Sequence, residues 1–394
     1  MGIDTLSSTS GVLAVPRSFE CQCGRPVFFR NSLCVACRTP LGYDAARSRL
    51  LPLEPGPEAG TWQRFGASAA APTGEAEPVY VRCANFDTAA GCNWLLERQP
   101  PDQSDAPAFA LCRSCRLNRT IPDLSVPGIE PLWRRIESAK RRLVSSLLGL
   151  GLPVRSRVSE DSARGLAFDL LGASPGGPSV MTGHDDGIVT INIDEADDAL
   201  RESTRISMNE PYRTVLGHLR HEVGHYYWYR LVDGTVWQEP YRTLFGDERA
   251  DYGASLRRHH QSGPAADWWL ANVSAYASSH PWEDWAETWA HYLHMVDTLD
   301  TAASFGLHGR DTELHYEVFT EAALYRPDAP EAGLCLEFVN EWVKLSGVLN
   351  ELARSMGQTD AYPFVLSVPV VGKLQFVHLL VAAEAGRIAS PFAP

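Results

Sequence analysis

His221-Glu222-Val223-Gly224-His225 is the stretch on which the reading of this chain turns. In a helix, residues four apart share a face, so the two imidazoles can grip one metal ion while Glu222 between them reaches its bound water. Such a set suits metal-assisted amide hydrolysis. A five-residue pattern also arises by chance as a solvated face of histidine and glutamate, so its surroundings decide. Pro211 opens a helical pattern that runs through the motif to about Val232. Upstream, Gly187-Ile-Val-Thr-Ile-Asn-Ile193 sets Val189, Ile191 and Ile193 on one face and Ile188, Thr190 and Asn192 on the other. That alternation reads as a strand, either an edge that aligns an extended peptide or an ordinary core strand.

Two histidines do not complete a zinc site, and a third ligand must come from elsewhere. The metzincin spacing would put glycine at position 228 and histidine at 231, where this chain has Trp228 and Leu231. A downstream carboxylate remains. Two segments offer one: Gly246-Asp247-Glu248-Arg249-Ala250-Asp251-Tyr252, and His280-Pro281-Trp282-Glu283-Asp284-Trp285-Ala286-Glu287. Glu248 stands at a distance like that of the thermolysin arrangement, but there an aspartate follows four residues on, and Asp251 is only three away. Glu283 lies on the first turn of a helix that Pro281 opens and that runs to about Val296. Glu287, one turn further, either orients a ligand histidine through its free N–H or is simply solvated. From spacing alone, Glu283, Glu248 and Asp247 all stay open. His291 continues the Glu283 and Glu287 face, and it and His294 are read as packed or solvated.

Eight of the nine cysteines fall between Cys21 and Cys115, and in a reducing cytoplasm such crowding points to metal binding rather than disulfides. Cys21-Gln-Cys23 and Cys34-Val-Ala-Cys37 flank Pro26–Leu33, which can fold as a hairpin turning at Asn31-Ser32, so that four thiolates converge in a tetrahedron. Cys83, Cys92, Cys112 and Cys115 form a second, looser set that ends in a CxxC knuckle. Two structural zincs follow, with pairing across the sets left open. Redox-active dithiols are the competing reading, but no βαβ context surrounds any CxxC. Cys335 stands apart and reads as a buried apolar residue.

A length of 394 residues implies two or three units. Residues 1–125 are read as a zinc-ribbon-like module containing a Pro/Gly/Ala-rich linker at 55–78, and residues 126–394 as the catalytic domain with a helical C-terminal part. Leu132, Ile136, Ala139, Leu143, Leu147 and Leu150 recur at helical steps until Gly149, Gly151 and Pro153 stop them. The basic stretch Trp133-Arg134-Arg135 to Lys140-Arg141-Arg142 is expected on that helix's polar face. Leu336–Met356 and Val371–Ala383 also look helical, without evident chemistry. The formal charge of −13 argues against broad nucleic-acid affinity, and the twelve arginines of residues 1–130 are balanced by thirteen acids. No window reaches the apolar length of a membrane span, and Met1–Val15 has neither a basic start nor an apolar run, so a cytoplasmic location is expected.

Tyr276-Ala-Ser-Ser-His-Pro-Trp-Glu283-Asp-Trp-Ala286-Glu287 resembles the third-ligand segment of the anthrax lethal-factor-like and Mlc-titration-factor-like peptidases. That resemblance implies zinc ligation by Glu283 and oxyanion stabilisation by Tyr276, and so favours Glu283 over Glu248 or Asp247. More widely, the CQCG and CVAC knuckles, CRLNRTIPDL, VMTGHDDGIVTINIDEADD, HLRHEVGHYYW, FGDERADY and HPWEDWAETWAHYLH resemble a bacterial family of zinc-binding metallopeptidases with an N-terminal zinc-ribbon segment. The resemblance covers most of the chain.

The expected fold is therefore α+β: a mainly helical, zincin-like catalytic domain with a small sheet, preceded by a zinc-ribbon-like module. The expected function is hydrolysis of peptide or protein substrates. One catalytic zinc on His221, His225 and Glu283 would activate water, with Glu222 as general base and Tyr276 as oxyanion donor, and two structural zincs would sit on Cys21, Cys23, Cys34, Cys37 and on Cys83, Cys92, Cys112, Cys115. Three rivals are a zinc-ribbon peptidase acting on nucleic-acid-bound proteins through Arg113, Arg116, Arg119 and the 134–142 face, a non-catalytic zinc scaffold, and a zinc hydrolase of a non-peptide amide. Retention of Glu222 speaks against the scaffold, which has no need of a base.

Overall fold

Cysteine, glycine and proline punctuate the N-terminal third so closely that only brief strands fit between them. The computed structural model describes residues 15–67, 77–98, 109–172, 180–208 and 210–392. The expectations for Met1–Ala14 and for residues 68–76 of the linker lie outside them. Strand β1 (Ser18–Glu20) pairs antiparallel with β2 (Pro26–Phe28) across the first cysteine pair, where Gly24 takes φ 76°. Pro26–Leu33 is thus not itself a hairpin. Its first residues pair backwards with β1, and the chain turns early because Asn31 Oδ1 accepts a hydrogen bond from the Phe28 N–H at 2.7 Å.

Strands β3 (Leu41–Asp44), β4 (Arg49–Pro55), β5 (Trp62–Arg64), β6 (Tyr80–Arg82) and β7 (Leu95–Glu97) form an antiparallel sheet in sequential order. Part of the stretch expected as linker is therefore the middle strand of a sheet. Trp62 supplies the reason, since it packs on Leu53, Tyr80 and Leu95, with the Arg82 guanidinium 4.7 Å above its ring.

After Cys115 the chain enters β8 (Asn118–Thr120) and then helix α1 (Ile129–Gly149). The basic stretch of α1 departs from expectation. Arg134 and Arg135 are exposed, but Lys140 and Arg141 are buried. Lys140 pairs with Glu137 at 2.7 Å, Arg141 donates to the Ala90 carbonyl at 3.1 Å, and Arg142 pairs with Asp297 at 2.7 Å. Buried partners, one on α1 itself and the others on neighbouring segments, turn a presumed solvent face into an internal one, because a buried cation persists only when paired.

Strands β9 (Ala167–Leu171), β10 (Gly183–Asp185) and β11 (Ile188–Asn192) complete a second sheet in the order β10-β11-β9-β8, with only β10 and β11 antiparallel. Val189 and Ile191 are buried, as their alternation requires. Residues 188–192 are an interior strand and not an edge, because the hairpin through Asp186 and Gly187 folds β10 onto their outer side.

The remaining helices are α2 (Asp198–Ser207), α3 (Val215–Tyr227), α4 (Gln238–Phe245), α5 (Tyr252–Ser262), α6 (Pro281–Ser304), α7 (Ala332–Ser355) and α8 (Val368–Glu384). Helix α3 starts at Val215 rather than Pro211 because Thr214 Oγ1 caps it, accepting from Gly217 N at 3.0 Å. One core joins the α1, α3 and α6 faces to α8, which is buried nearly all round. Cys335 lies in that core. The architecture is α+β, and among the described residues no helix is long and apolar enough to cross a membrane.

Candidate metal centres

The distance between α3 and α6 is set by the glycine inside the motif. A Cβ at Gly224 would meet Ala286 Cα at 3.1 Å and the Trp289 ring at 3.2 Å, so glycine permits the closest approach of the two helices. The Trp285 indole N–H donates to the Gly224 carbonyl at 2.8 Å and holds the crossing. Helix α6 begins one turn earlier. His280 caps it, its Nδ1 accepting from the Trp282 N–H at 3.1 Å, and Pro281 takes the first-turn position. Glu283 on that turn therefore faces His221 and His225 on α3.

Glu283 Oε2 lies 3.0 Å from His221 Nε2 and 3.7 Å from His225 Nε2. Despite this closeness, Oε2 makes no well-directed hydrogen bond among the described residues. His221 Nδ1 sits 2.7 Å from Glu287 Oε1, and Ser274 Oγ donates to the other Glu287 oxygen at 2.6 Å. Glu287 takes the Nδ1 side of His221, so that its Nε2, the His225 Nε2 and Glu283 Oε2 converge on one point, as the ligands of a single cation do. Tetrahedral zinc would separate such donors by about 3.4 Å, given metal–ligand bonds near 2.1 Å, and the two separations bracket that value. The residues fit zinc. Unlike His221, His225 has an Nδ1 buried without a described partner.

Burial alone would push His221 down and Glu283 up, but the Glu283 and Glu287 carboxylates outweigh it at His221, and His225 followed by His221 outweigh it at Glu283. His221 is held well above the ordinary imidazole range and Glu283 well below the carboxylate range. Burial likewise opposes ionisation of Glu287, yet His221 draws it down to about 2. Glu222, between the two histidines, is buried on the same helix. The Tyr276 ring lies 6.0 Å from the His221 ring, and burial followed by the Glu283 charge raises its hydroxyl pKa.

The other candidate carboxylates are engaged elsewhere. Glu248 is paired with Arg242 at 2.5 Å, and exposed Asp247 with Arg249 at 2.8 Å. His291 is buried against Tyr362, 2.6 Å from its hydroxyl, and the His294 ring packs on those of Trp342 and Tyr362.

Several neighbours escaped the sequence reading. Tyr252 donates to Glu283 Oε1 at 2.6 Å, and its signal was a tyrosine closing the segment inspected only for its acids. His184 on β10 stacks 6.2 Å from His225 at 25°, while Trp282 lies 4.0 Å from the same ring and half-exposed Tyr229 flanks both. Lys373, a lone lysine in an apolar helix, pairs at 2.5 Å with Asp284, the residue after Glu283, and so ties α8 to the first turn of α6.

The cysteines gather by set. Cys21, Cys23, Cys34 and Cys37 bring their sulfurs within 4.8 Å of one another, as do Cys83, Cys92, Cys112 and Cys115. Sulfur–sulfur separations of 3.6 Å for Cys21–Cys37, 3.9 Å for Cys23–Cys34 and 3.6 Å for Cys92–Cys112 match the roughly 3.8 Å edge of a zinc–thiolate tetrahedron with 2.3 Å bonds. In the first set the Thr39 hydroxyl, 3.1 Å from Cys37 Sγ, draws that thiol down to about 6. The second set is fully buried, whereas Cys23 is exposed.

A family model described as "Putative zinc-binding metallo-peptidase" matches residues 130–380, and one described as a zinc-ribbon domain matches residues 18–126. An uncharacterized protein of Mycobacterium bovis and uncharacterized proteins of two Mycobacterium tuberculosis strains are each 40% identical to this chain over 369 residues, covering 93% of it and 95% of their own length. No solved structure matches the chain.

Proposed function

This chain belongs to the family of zinc-binding metallo-peptidases, and from that premise we propose that it is a zinc-dependent peptidase using His221, His225 and Glu283 as ligands and Glu222 as general base. The observation that carries the assignment is the approach of Glu283 Oε2 to both imidazoles without a well-directed hydrogen bond. Zinc bound there would polarise the substrate carbonyl and bring the pKa of water near 7. Glu222 accepts the proton of the attacking water and passes it to the departing amine. Tyr276 donates a hydrogen bond to the developing oxyanion, a role supported by its proximity to His221 and by the resemblance of the 276–287 block to the lethal-factor-like segment. Glu287 holds the His221 tautomer and ring orientation.

An extended peptide would pair with β10, whose far side carries no other described strand, and its side chains would meet Tyr229 and Trp282. Residues 1–125 act as the zinc-ribbon-like module, their two thiolate sites holding shape, and residues 126–394 as the catalytic domain. The cysteine clusters suit a reducing cytoplasm. Nucleic acid is the less favoured partner, since Arg116, Arg119 and Arg142 pair with Glu160, Asp169 and Asp297 in a chain of formal charge −13.

The test is a peptide library incubated with the zinc-loaded protein, with and without chelator, the cuts being mapped by mass spectrometry. Glu222→Gln should abolish cleavage while keeping the bound zinc, because a base is removed and not a ligand. Loss of zinc from that variant, or cleavage that survives it, refutes the role given to Glu222.

A further inference from the structure

We infer that Tyr252 is a positioning residue for the metal ligand Glu283, holding one carboxylate oxygen so that only the other faces the histidines. The inference rests on the zinc site proposed above and assigns the Gly246–Tyr252 segment, whose carboxylates do not reach that site, a different part in it.

The segment is built to present this tyrosine. Glu248 anchors it to α4 through Arg242. Asp251 caps α5, its side chain accepting from Ala254 N at 2.8 Å, which sets Tyr252 at the first helical position. His280 ties the segment to α6. Its Nδ1 accepts from the Trp282 N–H, so its proton is on Nε2, which donates to the Ala250 carbonyl at 3.0 Å. The start of α6, which carries Glu283, and the start of α5, which carries Tyr252, are thereby locked together by one buried imidazole. The Tyr252 ring packs against His280 and Trp282 at 5.2 and 5.8 Å between centroids.

The hydroxyl then donates to Glu283 Oε1 at 2.6 Å, while Oε2 is the oxygen near both imidazoles. A carboxylate free to rotate can ligate through one oxygen or both. A short hydrogen bond on Oε1 removes that freedom and favours single-oxygen ligation, which keeps a coordination position for water and substrate. Tyr276 lies close to the same hydroxyl but faces the His221 ring. The two tyrosines divide the work, Tyr252 on the ligand and Tyr276 on the substrate.

The test compares full-length, zinc-loaded Tyr252→Phe and Tyr276→Phe with the parent by competition against a fluorescent chelator, the thiolate-bound zincs serving as internal reference. Tyr252→Phe should weaken the histidine-bound zinc about 10- to 100-fold, and Tyr276→Phe should leave it unchanged. In the cobalt-substituted protein Tyr252→Phe should also lower the visible absorption, because Glu283 becomes free to ligate through both oxygens and raise the coordination number. Should Tyr252→Phe fold poorly, Asp251→Ala, an exposed change that releases the α5 cap, should give a smaller loss of the same zinc. Unchanged zinc affinity and cobalt spectrum in Tyr252→Phe overturn the inference, as does an equal loss in Tyr276→Phe. A parent that binds no zinc at the histidines overturns the zinc-site reading itself, and this inference with it.

Discussion

Asp297 carries three arginines, and replacing it by Asn is the most severe single test of how the N-terminal segment is joined to the active-site helices. Arg17 reaches it at 2.8 Å, Arg142 at 2.7 Å and Arg220, the neighbour of His221, at 2.7 Å. The Asp297 and Arg17 side chains are only 4% and 2% exposed. At an effective dielectric constant of 20 each contact is worth at least about 4 kcal/mol of Coulomb energy, partly offset by desolvation. Asn keeps the shape and removes the charge, leaving buried guanidiniums uncompensated, a change that costs about 3–5 kcal/mol. Asp300 moderates the loss. Burial, aided by the Asp297 charge, pushes its carboxyl up to about 7, so without Asp297 it ionises more readily beside Arg17. In the parent, a folded pKa above the unfolded one means that stability falls as pH rises from about 4 to about 7, and the variant should lose less over that window. The stability gap between the two should therefore be widest near pH 5 and narrower at pH 8. Thermal unfolding followed by the fluorescence of buried Trp285 and Trp289 should show a midpoint lowered by about 10 °C, and a double change with Asp300→Asn should cost more than the sum of the two. A shift under about 3 °C, or a gap that widens towards pH 8, would refute the reasoning.

Metal analysis of protein purified without chelator should give about three zincs per chain, two of them resisting mild chelation because thiolate sites are closed; a content near one would remove the two-cluster reading. Glu283→Ala should lose one zinc while Glu248→Ala keeps all, and the reverse result would return the third ligand to the Gly246–Tyr252 segment. Tyr276→Phe should keep every zinc yet turn over roughly 100-fold more slowly, so normal turnover would take the oxyanion role from Tyr276. His291, depressed to about 4 mainly by burial, should contribute stability that is full above about pH 6.5 and lost as pH falls towards 4, up to roughly 3 kcal/mol. His291→Gln should flatten that part of a denaturation series between pH 7 and 5, and an unchanged slope would show that the imidazole is not held neutral.

Several errors of the sequence reading share one cause, the partner a residue meets across the fold. Lys140 and Arg141 look like a solvent face until Glu137, Asn118 and the Ala90 carbonyl are brought to them. Trp62 looks like one apolar residue in a linker until Leu53 and Tyr80 arrive from other strands. Residues 188–192 look like an edge until the hairpin lays β10 on their outer side. Apart from Glu137, which lies one helical turn before Lys140, none of these partners is signalled by local periodicity.

What the sequence alone determined is what depends on short-range geometry. The four-residue spacing of His221 and His225 sets them on one face of a helix whatever surrounds it. Pro281 opens α6 with Glu283 on its first turn, the alternation of Val189 and Ile191 fixes which side of β11 is buried, and paired cysteines a few residues apart limit where thiolates can meet. Only the tertiary structure decided which carboxylate faces those histidines, which cysteines gather together, and that Tyr252 adjoins the site. The reason is that α3 and α6 come into contact through a backbone approach that Gly224 permits and Trp285 holds, over a separation of some sixty residues. Spacing along the chain carries no measure of that contact, whereas packing and the charge it must neutralise do.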